Sequence, residues 1–135
     1  MKLAFISDAH MFQTFIEKYD PVVDFERALK SIVKHEPDVL FMAGDMFDYR
    51  KTPTTYVRHY EGEGLMIKIR KLLKEFNKPV YALRGNHEKE EVLTGLQQTV
   101  PNFHYTRNDW ASFDDCAVYL MDSHYKPSLN THRKF

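Results

Sequence analysis

The chain has 135 residues, 43% of them hydrophobic and 14% aromatic, enough for the core of one small domain spanning 1–135. Lysine plus arginine equals aspartate plus glutamate at 19 each, which excludes binding to nucleic acid through overall positive charge and leaves only local patches for that role. The single Cys116 excludes an intrachain disulfide framework and fits a reducing compartment; with no activating neighbour it reads as a buried structural thiol. Only four apolar residues follow Met1-Lys2, too few for a signal peptide or a membrane span, so a cytoplasmic setting is expected.

Residues 2–6 read as a first strand. Asp24 is placed to cap a helix whose apolar stripe is Phe25, Ala28, Leu29, Ile32 and Val33, and Pro37 ends it. Residues 39–43 are continuously apolar, as in a strand buried on both faces. Leu65, Ile69, Leu72, Leu73 and Phe76 give a second amphipathic helix ending before Pro79, with a basic run from Lys68 to Lys74 on its opposite face. Residues 80–84 form a third strand and 90–98 a short helix, and further strands are expected at 103–105 and 117–121. The β-α-β-α-β order predicts an α/β fold with a parallel sheet and right-handed crossovers.

Three polar clusters end the first three apolar runs. They are Ser7-Asp8-Ala9-His10, Gly44-Asp45-Met46-Phe47-Asp48 and Arg84-Gly85-Asn86-His87-Glu88. Parallel strands bring their C-terminal ends together, and ligands of α/β sheets collect there. Residues i and i+2 of an extended chain project to the same side, so Asp8 and His10 can reach one ion. Gly44 allows a sharp turn before Asp45, whose two oxygens can bridge two cations. Asn86 offers an amide oxygen. His87 points elsewhere, so it suits proton donation to a leaving oxygen or stabilisation of developing charge. Each cluster alone is an ordinary strand-end loop; the three in order, each after a strand-like run, point to a metal site.

Asp8-x-His10, Gly44-Asp45-x-x-Asp48 and Gly85-Asn86-His87-Glu88 resemble the first three motifs of the calcineurin-like metallophosphoesterases, over about residues 2–90. The resemblance implies a β-sandwich flanked by helices. It also implies Asp8 and His10 on a first metal, Asp45 bridging, Asn86 on a second, and His87 as the catalytic histidine. Two divalent ions are expected, manganese first, with iron and zinc as alternatives; the mixed oxygen and nitrogen donors suit all three. The run Gly44 to Lys51, the helix after it, and Phe113-Asp114-Asp115-Cys116 are similar to SbcD-type DNA-repair nuclease subunits and their phage counterparts. That narrower resemblance implies a DNA substrate, an ATPase partner subunit, and a bacterial or phage-infected host cell.

The family's later Gly-His-x-His is missing, so the fold is expected to be minimal or C-terminally truncated, with an open sheet edge that favours a homo-oligomer. His124, after the run 117–121, is the candidate for the second-metal histidine, and His132 a substitute. His35, His59 and His104 read as structural or surface residues. Arg50, Lys51, Arg84 and Lys89 can line a basic groove for DNA, with Arg50 and Arg84 as substrate contacts. A small-substrate phosphatase or phosphodiesterase is the alternative enzyme, and a non-catalytic metal-binding regulatory module the alternative of another class.

Overall fold

The computed structural model describes residues 1–11, 20–48, 59–86 and 88–122. Strands β1 (Leu3–Ile6), β2 (Val39–Met42), β3 (Val80–Ala82) and β4 (Phe103–Tyr105) form a parallel sheet in the order β1-β2-β3-β4. The register aligns Phe5 with Phe41, Phe41 with Tyr81, and Tyr81 with His104. Helices α1 (Pro21–Val33), α2 (His59–Phe76) and α3 (Glu90–Thr99) connect successive strands. Each step along the sheet goes the same way, so right-handed crossovers lay every helix on one face.

Strand alternation divides the core in two. Leu40, Met42, Val80, Ala82 and Phe103 face the helices and meet Val22, Phe25 and Leu29 of α1, Ile69 and Leu73 of α2, and Leu93 and Leu96 of α3. Val39, Phe41, Tyr81 and Leu83 face the other way. They are covered by an antiparallel hairpin, β5 (Asp109–Ser112) and β6 (Ala117–Leu120), through Ala111, Leu120, Phe113 and Val118. Phe41 stacks on Tyr81 at 5.7 Å and meets Phe113 edge-on at 6.3 Å. Helices, parallel sheet and a facing antiparallel sheet agree with the α/β sandwich expected from the sequence.

Several local expectations change. Helix α1 is capped by Asp20, not Asp24: the Asp20 carboxylate accepts from the amides of Val22 (3.0 Å) and Val23 (3.3 Å). Pro21 explains the shift, since its fixed φ and missing N–H suit the first helical position. Strand β3 stops at Ala82, so Arg84 lies beyond the sheet. Strand β5 escapes sequence reading because only Ala111 of Asp-Trp-Ala-Ser is buried. Cys116 is half-buried rather than buried, its thiol 3.8 Å from Met1 Sδ. His104 has the structural surroundings expected, with its ring 4.9 Å from that of Tyr81. Among the described residues no helix is long and apolar enough to cross a membrane.

Candidate metal centre

The loops leaving β1 and β2 stay hydrogen-bonded to each other after the strands end. Asp8 N donates to Gly44 O at 3.0 Å, His10 N to Asp45 O at 3.0 Å, Met11 N to Met46 O at 2.8 Å, and Asp48 N to Met11 O at 2.6 Å. This ladder carries Asp8 and His10 alongside Asp45. Met11, Met46 and Phe47 are fully buried beneath it and fix its height above the core. The ladder also bends the chain. Asp8, His10 and Asp45 all have left-handed backbones, with φ of 57°, 47° and 51°. The extended geometry expected for Asp8-Ala9-His10 is therefore replaced by two left-handed turns. Such a conformation costs a non-glycine residue about 1–2 kcal/mol, and strain of this kind concentrates at functional sites.

The outcome is convergence. One ligand atom each from Asp8, His10 and Asp45 lies within 4.8 Å of the others. His10 Nε2 is 3.7 Å from Asp8 Oδ1, and on its other side Nδ1 is 3.8 Å from Oδ1 of the buried Asp48. From β3, Asn86 brings its side-chain amide against Asp45, one terminal atom 2.8 Å from one carboxylate oxygen and 3.3 Å from the other. With nitrogen foremost, the amide donates a hydrogen bond; with oxygen foremost, three oxygens point at one place, the arrangement a cation satisfies. Two carboxylates, an imidazole and an amide form a donor set that fits a divalent transition ion.

Glycines make the approach of β2 and β3 loops possible. Gly44 has φ 105°, and a Cβ on it would come within 3.3 Å of the Gly85 backbone. Glu88, quoted as part of a motif but given no role from sequence, fastens the two loops. Its Oε1 accepts from Asp45 N at 2.8 Å and from Gly85 N at 2.7 Å. Burial pushes the Glu88 carboxyl up to about 7, assisted by the Asp45 charge and opposed by the amides of Gly85, Asp45 and Phe47. The visible signal was the carboxylate three residues after Gly85, the right distance to return to that glycine's own amide. Asp48 is the other residue whose part emerges only in three dimensions, through its place behind the His10 ring.

Arg84 leaves the end of β3 beside this centre, near Tyr105, whose hydroxyl donates to Glu90 Oε1 at 3.3 Å. Burial first and then Glu90 raise the Tyr105 pKa, while Arg84 and Arg107 oppose the rise. Of the expected site residues, Asp8, His10, Asp45 and Asn86 are thus brought together, with Arg84 next to them. Arg50, Lys51, His87, His124 and His132 lie outside the described residues.

Comparison with known proteins agrees with this geometry. Over 94 residues, 65% of this chain, the sequence is 30% identical to the DNA double-strand break repair protein Mre11 of Methanopyrus kandleri. That stretch amounts to 19% of the relative's length, so the chain spans about a fifth of the protein it matches. Residues 1–132 match the calcineurin-like phosphoesterase family. With its three strand-end motifs on adjacent parallel strands and their side chains converging, the chain belongs to the calcineurin-like phosphoesterase family.

Proposed function

We infer that the chain is a metal-dependent phosphoester hydrolase whose substrate is DNA, cleaved at the phosphodiester in the manner of SbcD-type nucleases. The observation that carries the reading is the convergence of Asp8, His10 and Asp45 ligand atoms within 4.8 Å, with the Asn86 amide against the Asp45 carboxylate. Asp8 and His10 would hold one divalent ion and Asn86 a second, with Asp45 between them and His124 as a further ligand of the second. Manganese is the ion we assign. When bound, such ions neutralise charge on the phosphoryl oxygens and lower the pKa of a coordinated water. His87, next in sequence to Asn86, is assigned to protonate the leaving oxygen. Arg50 and Arg84 are assigned to the substrate's phosphates. Support for DNA over a small phosphoester comes from the Mre11 relative, a DNA repair protein. A cytoplasmic setting in a bacterium or phage-infected cell, and an ATPase partner, complete the proposal.

The test is manganese-dependent turnover of a bis-aryl phosphodiester and of linear DNA, before and after EDTA. Asp45→Ala is expected to abolish turnover of both and to weaken manganese binding by calorimetry. No turnover by the purified protein, with manganese binding unchanged in Asp45→Ala, overturns the reading.

A further inference from the structure

Strands β3 and β4 deliver a second constellation beside the metal centre. Ala82 and Tyr105 are register partners, and Thr106 N donates to Ala82 O at 3.0 Å. Two residues beyond this pair, past the ends of both strands, stand Arg84 after β3 and Arg107 after β4. The two arginines therefore follow the ends of adjacent strands, each two residues past the last register pair. Among the described residues, carboxylates pair with Arg107. Its Nη1 is 3.4 Å from Glu90 and its Nε 3.6 Å from the buried Asp122. Glu90 is also taken up by the Tyr105 hydroxyl.

Arg84 is left without such a partner. Its Nε is buried and has no hydrogen-bond acceptor, and its guanidinium makes no ion pair among the described residues. A buried donor with no acceptor is destabilising, and a guanidinium fork is shaped for the paired oxygens of a phosphate. Arg84 is also two residues from Asn86, so an anion that satisfied it would sit beside the metal centre.

We propose that Arg84, which follows the end of β3 beside the metal centre, is the subsite for a phosphate flanking the scissile one in a polynucleotide. The proposal rests on the hydrolase reading for the identity of the scissile phosphate. Its placement gives the offset. The ladder of Asp8, His10 and Asp45 belongs to β1 and β2, whereas Arg84 belongs to β3 and its β4 neighbour. The separation is one to two strand spacings, about 5–10 Å. That is the scale of one nucleotide step, which a monoester cannot span.

A fluorescent single-stranded oligonucleotide, titrated with the full chain in EDTA at low ionic strength, tests the subsite by anisotropy. Arg84→Ala is expected to weaken binding about tenfold and to flatten the salt dependence by about one contact. Arg84→Lys, which keeps the charge but loses the fork, should fall between. In the wild-type chain the amide resonances of Arg84 and Thr106 should shift with the oligonucleotide, a readout that survives even if a variant misfolds. Equal affinity and salt slope in wild type and Arg84→Ala, or wild-type resonances at 84 and 106 that do not move, overturn the subsite. So does inorganic phosphate that competes at the same concentration of phosphate groups as the oligonucleotide. Aryl-diester turnover is measured alongside: Arg84-dependent binding without turnover supports the subsite and rejects the hydrolase reading alone.

Discussion

The Asp45 carboxylate occupies the space in which a side chain at position 85 would begin. A Cβ on Gly85 would overlap Asp45 Oδ1 and come within 2.5 Å of its Cγ and of its backbone nitrogen. The two loops therefore depend on each other: the last glycine of β3's loop exists where the carboxylate of β2's loop needs room. Glu88 closes the same junction from below by accepting both amides.

Gly85→Ala should accordingly be costly in two measurements. Overpacking a filled site costs about 1–3 kcal/mol, seen as a lower denaturation midpoint in EDTA. Asp45 must also move, so manganese affinity by calorimetry should drop about tenfold or more, as when a ligand's support is lost. Gly95→Ala is the contrast. Nothing lies within 4 Å of a Cβ there, inside helix α3, so the exchange should stabilise by about 0.5–1 kcal/mol. A Gly85→Ala protein as stable as wild type, with wild-type manganese affinity, would remove the steric argument.

Glu88 gives the metal-free protein a pH dependence of unusual sign for a carboxylate. Burial raises its folded pKa from 4.5 to about 7, so between these values the folded state binds more protons than the unfolded state. Stability is then fully favoured below about pH 4.5 for this group, and falls as pH rises toward 7, by on the order of 3 kcal/mol. Other carboxylates pull the opposite way, so the comparison must be with Glu88→Gln, which keeps an oxygen acceptor for both amides. The difference in unfolding free energy between wild type and variant, measured in EDTA, should change steadily from pH 4.5 to 7 and level off above. A pH-independent difference is incompatible with a raised Glu88.

How much of this was readable in the sequence follows from range. Asp8, His10, Asp45 and Asn86 were legible because strand ends are marked by apolar runs and their polar residues have one natural meeting place. The route by which Asp8 and His10 meet was not legible, because left-handed φ at both is imposed by the hydrogen-bonded ladder to the β2 loop. Glu88 and Asp48 act across loops 43 and 38 positions apart in sequence, on Asp45 and His10, and no local pattern shows which group each will meet. Strand β5 was missed for a related reason, since one inward Ala111 cannot produce a recognisable alternation.

The reassigned cap of α1 is the simplest of these differences to check. Asp20 accepts from two amides at the helix start, whereas Asp24 lies in the first turn and is 3.7 Å from Arg27 at the exposed surface. Asp20→Ala should lose about 1 kcal/mol in chemical denaturation. Asp24→Ala should lose no more than about 0.5 kcal/mol, as an exposed helix pair is worth little. A larger loss from Asp24→Ala than from Asp20→Ala would return the cap to position 24.

Asp48 stands behind His10, its side chain only 3% exposed and its Oδ1 3.8 Å from His10 Nδ1, while His10 Nε2 faces Asp8. A carboxylate behind the far nitrogen of a ligating imidazole helps to fix the ring's orientation. Asp48→Asn keeps the volume and removes the charge, so the fold should survive while manganese affinity falls about 10- to 100-fold. An unchanged denaturation midpoint in EDTA, measured beside the calorimetry, distinguishes this from simple loosening. Unchanged affinity in a folded Asp48→Asn protein would remove Asp48 from the positioning of His10.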